Sequence, residues 1–305
     1  VQTPTTARRG AVSFFVCLRQ AQGRGQVARD LSVVLEREQD TLRKHLQCSD
    51  AQWESLLRLT AHCWERENEE SRDERVRTFA LACGYAAARE RGLEALTAVL
   101  TGERLEQPAE PRIWLEALPV PPLKREGNTR LDLALGSVAL RKETESGIEM
   151  ENVKHPWVCM VELKWLSDIS PDTRYLCHRN QLLRVIENAL CFQKNGRYAE
   201  RVIVTLVTPA FLQSAPVRSR LYHYKYEEYS SDKRAILWDL MGTCRTEEHR
   251  HEAGWYYPPS MPERIETLTL RWVTHDDLYE HLPDSSILAD VREFWMLAQK
   301  AMPSF

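Results

Sequence analysis

The sequence predicts an α/β protein in which a mixed β-sheet core flanked by helices follows an N-terminal all-helical region. Three observations support this fold class. Apolar residues recur at three- and four-residue spacing between residues 27 and 101, as on amphipathic helices. Five prolines then fall within residues 102–128, a density that excludes a regular helix. Beyond them, strand-like apolar runs alternate with helical patterns, which is typical of an α/β core.

The bulk properties are those of an ordinary folded protein. The chain has 305 residues, of which 43% are hydrophobic and 28% charged, so disorder is not indicated. No apolar run approaches the ~20 residues that span a bilayer, and we expect no membrane contact. The 8 cysteines form no C-x-x-C pair, which favours reduced thiols and a cytoplasmic location. Because the net charge is -3, a nucleic-acid binder of this composition must concentrate its basic residues in one cleft or borrow those of a partner.

The N-terminal half divides into helices and a connector. Three helical patterns precede residue 102, and Ser49 and Asp50 are suited to cap the second of them. The charged run at residues 64–77 mixes both signs and predicts a solvated helix end. We therefore assign residues 1–101 to a helical region, residues 102–128 to a proline-rich connector and residues 129–305 to a second domain.

The elements of the second domain follow from their periodicity and their flanking residues. Residues 129–141 predict a strand with a bend at Gly136, and the β-branched run at residues 201–208 predicts a central strand with parallel neighbours. Thr274 and Asp277 have the spacing of a capping box. The other predicted elements are a hairpin strand at 147–153, a strand at 158–165, helices at 174–194, 224–242 and 285–302, and a strand at 267–273.

Two of these strands carry charged side chains that a buried sheet does not tolerate alone. Side chains alternate between the faces of a strand, so Glu162 and Lys164 share one face of V-C-M-V-E-L-K-W while apolar residues take the other. In T-R-L-D-L-A-L the leucines share one face and Asp132 takes the other. Burying an unpaired charge costs several kcal/mol, roughly, so such groups are usually paired, metal-bound or functional.

The set of Asp132, then Glu162-Leu163-Lys164 at the end of an apolar strand, then a helix with Gln181 resembles the active-site pattern of the PD-(D/E)xK nuclease superfamily. The resemblance covers about half of the chain, residues 129–277, and implies the restriction-endonuclease-like fold. It departs from exonuclease-related members at Val185, where those have a tyrosine.

The resemblance also implies a chemistry. The catalytic residues would be Asp132, Glu162, Lys164 and Gln181. Mg²⁺ or Mn²⁺ would be held by the carboxylates of Asp132 and Glu162 and by the main-chain carbonyl of Leu163. Lys164 would orient or deprotonate the attacking water, a role that suits a lysine because burial lowers its pKa.

Three further residues are candidates for contact with DNA. Arg130 shares the face of Asp132 and either holds a phosphate or pairs with that carboxylate. Arg174 and His178 lie on the same predicted polar stripe as Gln181. A protein partner of the N-terminal helices and a homodimer are also compatible with a double-strand cutter.

The sequence therefore predicts a metal-dependent DNA endonuclease of restriction, phage defence, mobile-element processing or repair. One alternative is a catalytically inactive nuclease-fold protein that binds nucleic acid or a protein partner. Another is a helical interaction protein in which Glu162 and Lys164 form a sheet-end salt bridge and Asp132 makes a turn.

Overall fold

A mixed six-stranded sheet forms the centre of the computed structural model, which describes residues 30–65, 73–124, 126–168, 179–213, 221–244, 248–250 and 254–300. Its strands are β1 (Leu46–Gln47), β2 (Ile113–Ala117), β3 (Leu131–Gly136), β6 (Trp157–Leu163), β9 (Arg201–Thr208) and β10 (Leu268–Thr274). They lie in the order β1-β2-β3-β6-β9-β10, with antiparallel pairs at β2–β3 and β3–β6 and parallel pairs elsewhere. The α/β class and the mixed sheet are confirmed.

Helices from both ends of the chain cover one face of this sheet. Their side chains form a first hydrophobic cluster that runs from Leu31 to Trp295 and includes Leu133, Val161 and Leu163 of the sheet. These helices are α1 (Leu31–Arg37), α2 (Gln39–Leu42), α3 (Asp50–Glu65), α4 (Glu74–Ala87), α5 (Arg89–Thr101), α10 (His275–Glu280) and α11 (Leu288–Lys300).

The other face is covered by helices from the middle of the chain. They form a second hydrophobic cluster with the alternate side chains of the same strands, among them Ala134, Met160 and Val204. Successive strand residues point to opposite faces, so the five longer strands of the sheet contribute to both clusters. These helices are α6 (Gln181–Leu190), α7 (Leu221–Ser231), α8 (Arg234–Cys244) and α9 (Met261–Glu266).

The N-terminal region is predominantly but not wholly helical. Residues 46–47 form β1, which pairs in parallel with Ile113 and Trp114 of β2, so the expectation of an all-helical region is wrong at this point. β2 itself lies within the expected connector. The helical region and the sheet share the first cluster, and the division at residues 102–128 stays a prediction.

The helix expected at residues 174–194 ends earlier. Residues 169–178 lie outside the described part of the chain, and α6 stops at Leu190. Gln193–Lys194 and Arg197–Tyr198 are instead strands β7 and β8 of a hairpin. Its turn residues, Asn195 and Gly196, have φ of 51° and 79°, the left-handed pair that Asn-Gly supplies in a two-residue hairpin turn.

The single helix expected at residues 224–242 also differs from the structure. It forms two helices, α7 and α8, rather than one. Asp232 lies between them and accepts a hydrogen bond from the Arg234 amide at 3.0 Å. A side-chain oxygen that caps a first-turn amide begins a new helix, so Asp232 separates the two.

Two local predictions, the bend at Gly136 and the capping box of Thr274 and Asp277, are confirmed. Gly136 ends β3 with φ 106°, and the strand continues as the hairpin of β4 (Val138–Leu140) and β5 (Ile148–Met150). The capping box of Thr274 and Asp277 begins α10. Among the described helices, none is both long and apolar enough to cross a bilayer.

Candidate active site

Asp132 and Glu162 lie close together at one end of the sheet. β3 and β6 pair antiparallel as far as Leu133 and Val161, and the two acids are the next residues beyond that last pair. Asp132 accepts a hydrogen bond from the amide of Leu163, the residue after Glu162, and the charge of Glu162 acts on Asp132. The two acids predicted from separate strands are therefore neighbours.

Each acid is held by one of its oxygens. The main-chain amide of Leu163 donates to Asp132 Oδ2 at 2.7 Å. The side-chain amide of Gln181, the first residue of α6, donates a short hydrogen bond from Nε2 to Glu162 Oε1. Within the described residues, the hydrogen bonds to these acids engage only Oδ2 and Oε1, which leaves Oδ1 of Asp132 and Oε2 of Glu162 as free acceptor atoms.

Lys164 brings a positive charge to the two acids. Its Nζ lies 2.7 Å from Glu162 Oε1, and both side chains are almost fully buried, with 6% and 2% of their surface exposed. The same Nζ lies 3.2 Å from Glu74 Oε1. Asp132, Glu162, Lys164 and Gln181, which the sequence grouped as one catalytic set, are brought together by the fold.

Glu74 is a residue of this site that the sequence analysis missed. It is the first residue of α4, whose N-cap, Asp73, accepts a hydrogen bond from the Arg75 amide. Besides Lys164, Glu74 accepts from the Trp165 amide at 3.3 Å and from Ser167 Oγ at 3.0 Å. The Asp-Glu pair is a helix-start signal that could have been read, because acidic residues favour the first turn.

Burial and mutual repulsion change the protonation of the acids. Burial raises the pKa of Asp132 well above its usual range, and the charge of Glu162 raises it further, against the attraction of Lys164. The pKa of Glu162 is also raised, again mainly by burial, although Lys164 opposes the shift. Two close carboxylates that share one ammonium favour an additional positive charge.

The protonation of Lys164 differs from the expectation. Burial alone would lower the pKa of the ammonium, but Glu162, Glu74 and Asp132 outweigh it and hold the pKa above its ordinary value. Lys164 is therefore a charged donor in this arrangement. The expectation that burial lowers its pKa is wrong, because three acids surround the amine.

The donor set suits a hard divalent cation. No group of three or more His, Cys, Asp or Glu side chains among the described residues is arranged to hold a metal ion. Mg²⁺, however, commonly uses one or two carboxylates and takes its remaining oxygens from water and substrate phosphate. Asp132 and Glu162 each keep an oxygen for this purpose, and the backbone of Leu163 adjoins Asp132. The residues fit the expected ion.

A buried ionic cluster fixes the start of α6 beside the site. Arg179 lies next to the N-cap Asn180 and contacts Glu126 at 2.7 Å and Glu187 at 2.5 Å, all three side chains being at most 2% exposed. Arg184 adds a second contact to Glu126 at 3.3 Å. Two arginines and two glutamates balance in charge, so the cluster is a neutral anchor for the helix that carries Gln181.

The predicted DNA contacts are only partly described. Arg130 is exposed, and its Nη1 lies 3.3 Å from Glu116 Oε2 of β2 rather than on Asp132. Of its two predicted roles, pairing with Asp132 is therefore wrong, since Glu116 is its acidic partner. Arg174 and His178 lie outside the described residues.

Comparison of the chain with models of known protein families, with curated proteins and with solved structures gives no match. The class defined by the structure is an α/β protein with a helix-covered mixed sheet and a cluster of three acids and one lysine at the sheet end.

Proposed function

We propose that this chain is a metal-dependent nuclease of the PD-(D/E)xK superfamily, whose restriction-endonuclease-like domain cuts phosphodiester bonds in DNA. One observation carries the proposal. Asp132 Oδ2 accepts from the amide of Leu163, next to Glu162, and Lys164 Nζ lies 2.7 Å from Glu162 Oε1. A pair of acids that can hold a metal ion, with an ammonium beside them, suits metal-assisted phosphodiester hydrolysis.

The cofactor in this proposal is Mg²⁺ or Mn²⁺. The free oxygens of Asp132 and Glu162 and the carbonyl of Leu163 would hold it. A bound divalent ion supplies a Lewis acid for the phosphate oxygens and lowers the pKa of an attacking water.

The chain's own residues have separate roles. Lys164, held as an ammonium by its acidic neighbours, compensates charge on the scissile phosphate and orients water by donating to it. Gln181 fixes the rotamer of Glu162 through Oε1, and the Leu163 amide fixes Asp132 through Oδ2. Pre-set donors and acceptors of this kind lower the cost of reorganising the site during reaction.

DNA is the substrate in this proposal. Among the residues that the structure describes, Arg130 is the one proposed to contact a DNA phosphate. The Arg130 side chain is 57% exposed, and the residue directly precedes β3, the strand that carries Asp132. A chain of net charge -3 has to bind phosphates through such local cations.

The test is cleavage of supercoiled, linear and single-stranded DNA and of RNA in Mg²⁺ or Mn²⁺. We expect Asp132→Asn to lose about 100-fold or more of the activity, because a ligand charge is removed. Asp40→Asn, a matched change at an exposed acid of α2, should leave the activity unchanged. Equal cleavage by Asp132→Asn and the wild type would reject this site. Metal binding without cleavage of any substrate would favour the inactive, binding-only alternative.

A further inference from the structure

His275 occupies a place where the β-ladder beside the site is interrupted. β6 and β9 run parallel, and the amide of Lys164 donates to the carbonyl of Val207 at 2.8 Å. In a parallel ladder the carbonyl of the same residue accepts from the amide two positions further along the partner strand. That position is Pro209, which has no N–H. The ladder therefore cannot bind the Lys164 carbonyl.

His275, the first residue of α10, supplies the missing donor. Its Nε2 lies 3.1 Å from the Lys164 carbonyl oxygen. A carbonyl only accepts, so Nε2 carries the proton and donates, and Nδ1 is left unprotonated. Nδ1 is buried and has no hydrogen-bond partner in the described residues. The imidazole ring is therefore held by its hydrogen bond to the Lys164 carbonyl.

The surroundings of His275 hold it as a neutral, fixed donor. The residue is 1% exposed, and its ring lies 5.2 Å from that of Trp165 and 5.6 Å from that of Trp295. Burial lowers the pKa of His275 to about 3, so the ring stays uncharged at neutral pH. An imidazole between two indoles has little freedom to turn away from its acceptor.

We propose that His275 is a positioning residue for Lys164, taking the place of the amide that Pro209 lacks. With His275 bound, the backbone of Lys164 is held on both sides, by Val207 through its amide and by His275 through its carbonyl. The Cα–Cβ direction of Lys164 is then fixed, and the ammonium is aimed at Glu162. The catalytic aspect of this role rests on the proposed nuclease function, whereas the structural aspect does not.

The test combines removal of the donor with its replacement. His275→Leu removes the donor, and His275→Gln keeps a donor at the position of Nε2. Pro209→Ala in the His275→Leu background restores the ladder amide. His281→Leu is the matched control, because that histidine is exposed on the same stretch and contacts a different carbonyl, that of Asp277.

Two quantities are measured for each full-length variant. The first is the ¹³C shift of the Lys164 carbonyl together with the ¹⁵N signal of its ammonium, which needs no activity. The second is the split between kcat and KM for DNA cleavage. We expect His275→Leu to move the carbonyl shift upfield and to lower kcat by about 10- to 100-fold with KM little changed, since a small misplacement of a reacting group has such effects. His275→Gln and the double variant should recover both.

Unchanged Lys164 signals and kcat in folded His275→Leu would overturn the proposal. If His275→Leu does not fold, the double variant decides. Recovery of folding with a wild-type carbonyl shift supports the role of His275, and failure to recover overturns it. If the wild type cuts no substrate, the nuclease proposal fails while the carbonyl shift still decides whether His275 holds Lys164.

Discussion

Glu74 and Lys164 are 90 positions apart in the chain, yet Glu74 Oε1 lies 3.2 Å from Lys164 Nζ. The contact joins the start of α4 to the end of β6. A helix of the N-terminal region thus contributes a charge to a site whose other members lie beyond residue 129.

Glu74→Gln should weaken divalent-metal binding. Glutamine keeps the size of the side chain but removes one of three negative charges around Lys164. Losing a supporting group of this kind commonly costs 10- to 100-fold in metal affinity, so we expect about a tenfold loss. Calorimetric titration with Mg²⁺ and Mn²⁺ measures it, and Glu94→Gln at an exposed position of α5 is the control. Wild-type affinity in Glu74→Gln would remove Glu74 from the site.

Lys164→Met should destabilise the metal-free protein by about 3–5 kcal/mol, because it leaves the buried acids without their cation. Urea unfolding of the variant, with Lys154→Met at an exposed position as control, measures the loss. The deficit should shrink in acid, since protonated Glu162 and Asp132 need no ion pair and both have raised pKa values. A deficit that is independent of pH would contradict this account.

Asp132→Asn should stabilise the metal-free protein at neutral pH. A raised pKa means that the folded state binds the proton more tightly than the unfolded chain does. The resulting stabilisation is complete below the ordinary pKa of 3.8 and is lost as the pH rises through the folded-state value. Asparagine has no charge to bury and escapes that loss.

Thermal unfolding from acid to neutral pH checks this expectation. The gap between Asp132→Asn and the wild type should open as the pH rises, whereas Asp40→Asn should show none. Adding Mg²⁺ should raise the Tm of the wild type and of Asp40→Asn, but not that of Asp132→Asn. A variant that is less stable than the wild type at neutral pH would show that the carboxylate is not under strain.

A fragment of residues 102–305 should not fold by itself. It lacks α1 to α5, whose side chains cover Leu133, Val161 and Leu163, so one face of the sheet would be exposed. We expect no cooperative thermal transition, measured by circular dichroism against residues 30–305. A sharp transition in the fragment would support an independent second domain and the predicted boundary.

Arg130→Gln should weaken DNA binding in a salt-dependent way. Removing one phosphate contact lowers the slope of log affinity against log salt by about 1. The control is Arg37→Gln, because Arg37 is 59% exposed against 57% for Arg130 and also pairs with a glutamate. Fluorescence anisotropy over a salt series gives both slopes, and equal slopes for the two variants would exclude Arg130 from the interface.

The local parts of the site were predictable from the sequence, and the long-range parts were not. Glu162, Lys164 and Asp132 were found because side chains of a strand alternate with period two, a purely local rule. Gln181 followed from the polar stripe of the next predicted helix and from the family resemblance. No local rule brings Glu74 or His275 to Lys164, because those contacts depend on how α4 and α10 pack at the sheet end.

The errors in helix boundaries arose where a short turn or cap signal competed with hydrophobic periodicity. The apolar stripe of α6 continues in sequence past its end, whereas the Asn195-Gly196 turn fixes where the chain reverses. Asp232 likewise begins a new helix inside what reads as one pattern. In both cases a short turn or cap signal outweighed hydrophobic periodicity.

The neutral cluster of Glu126, Arg179, Arg184 and Glu187 limits how this chain can diverge. Reversing or deleting any one of these charges leaves a buried partner charge unpaired, so a single substitution there destabilises the fold. Descendants of this sequence should therefore keep the quartet intact or exchange its members together for apolar side chains of similar volume. Relatives too distant to recognise by overall similarity would then still share correlated changes at these four positions.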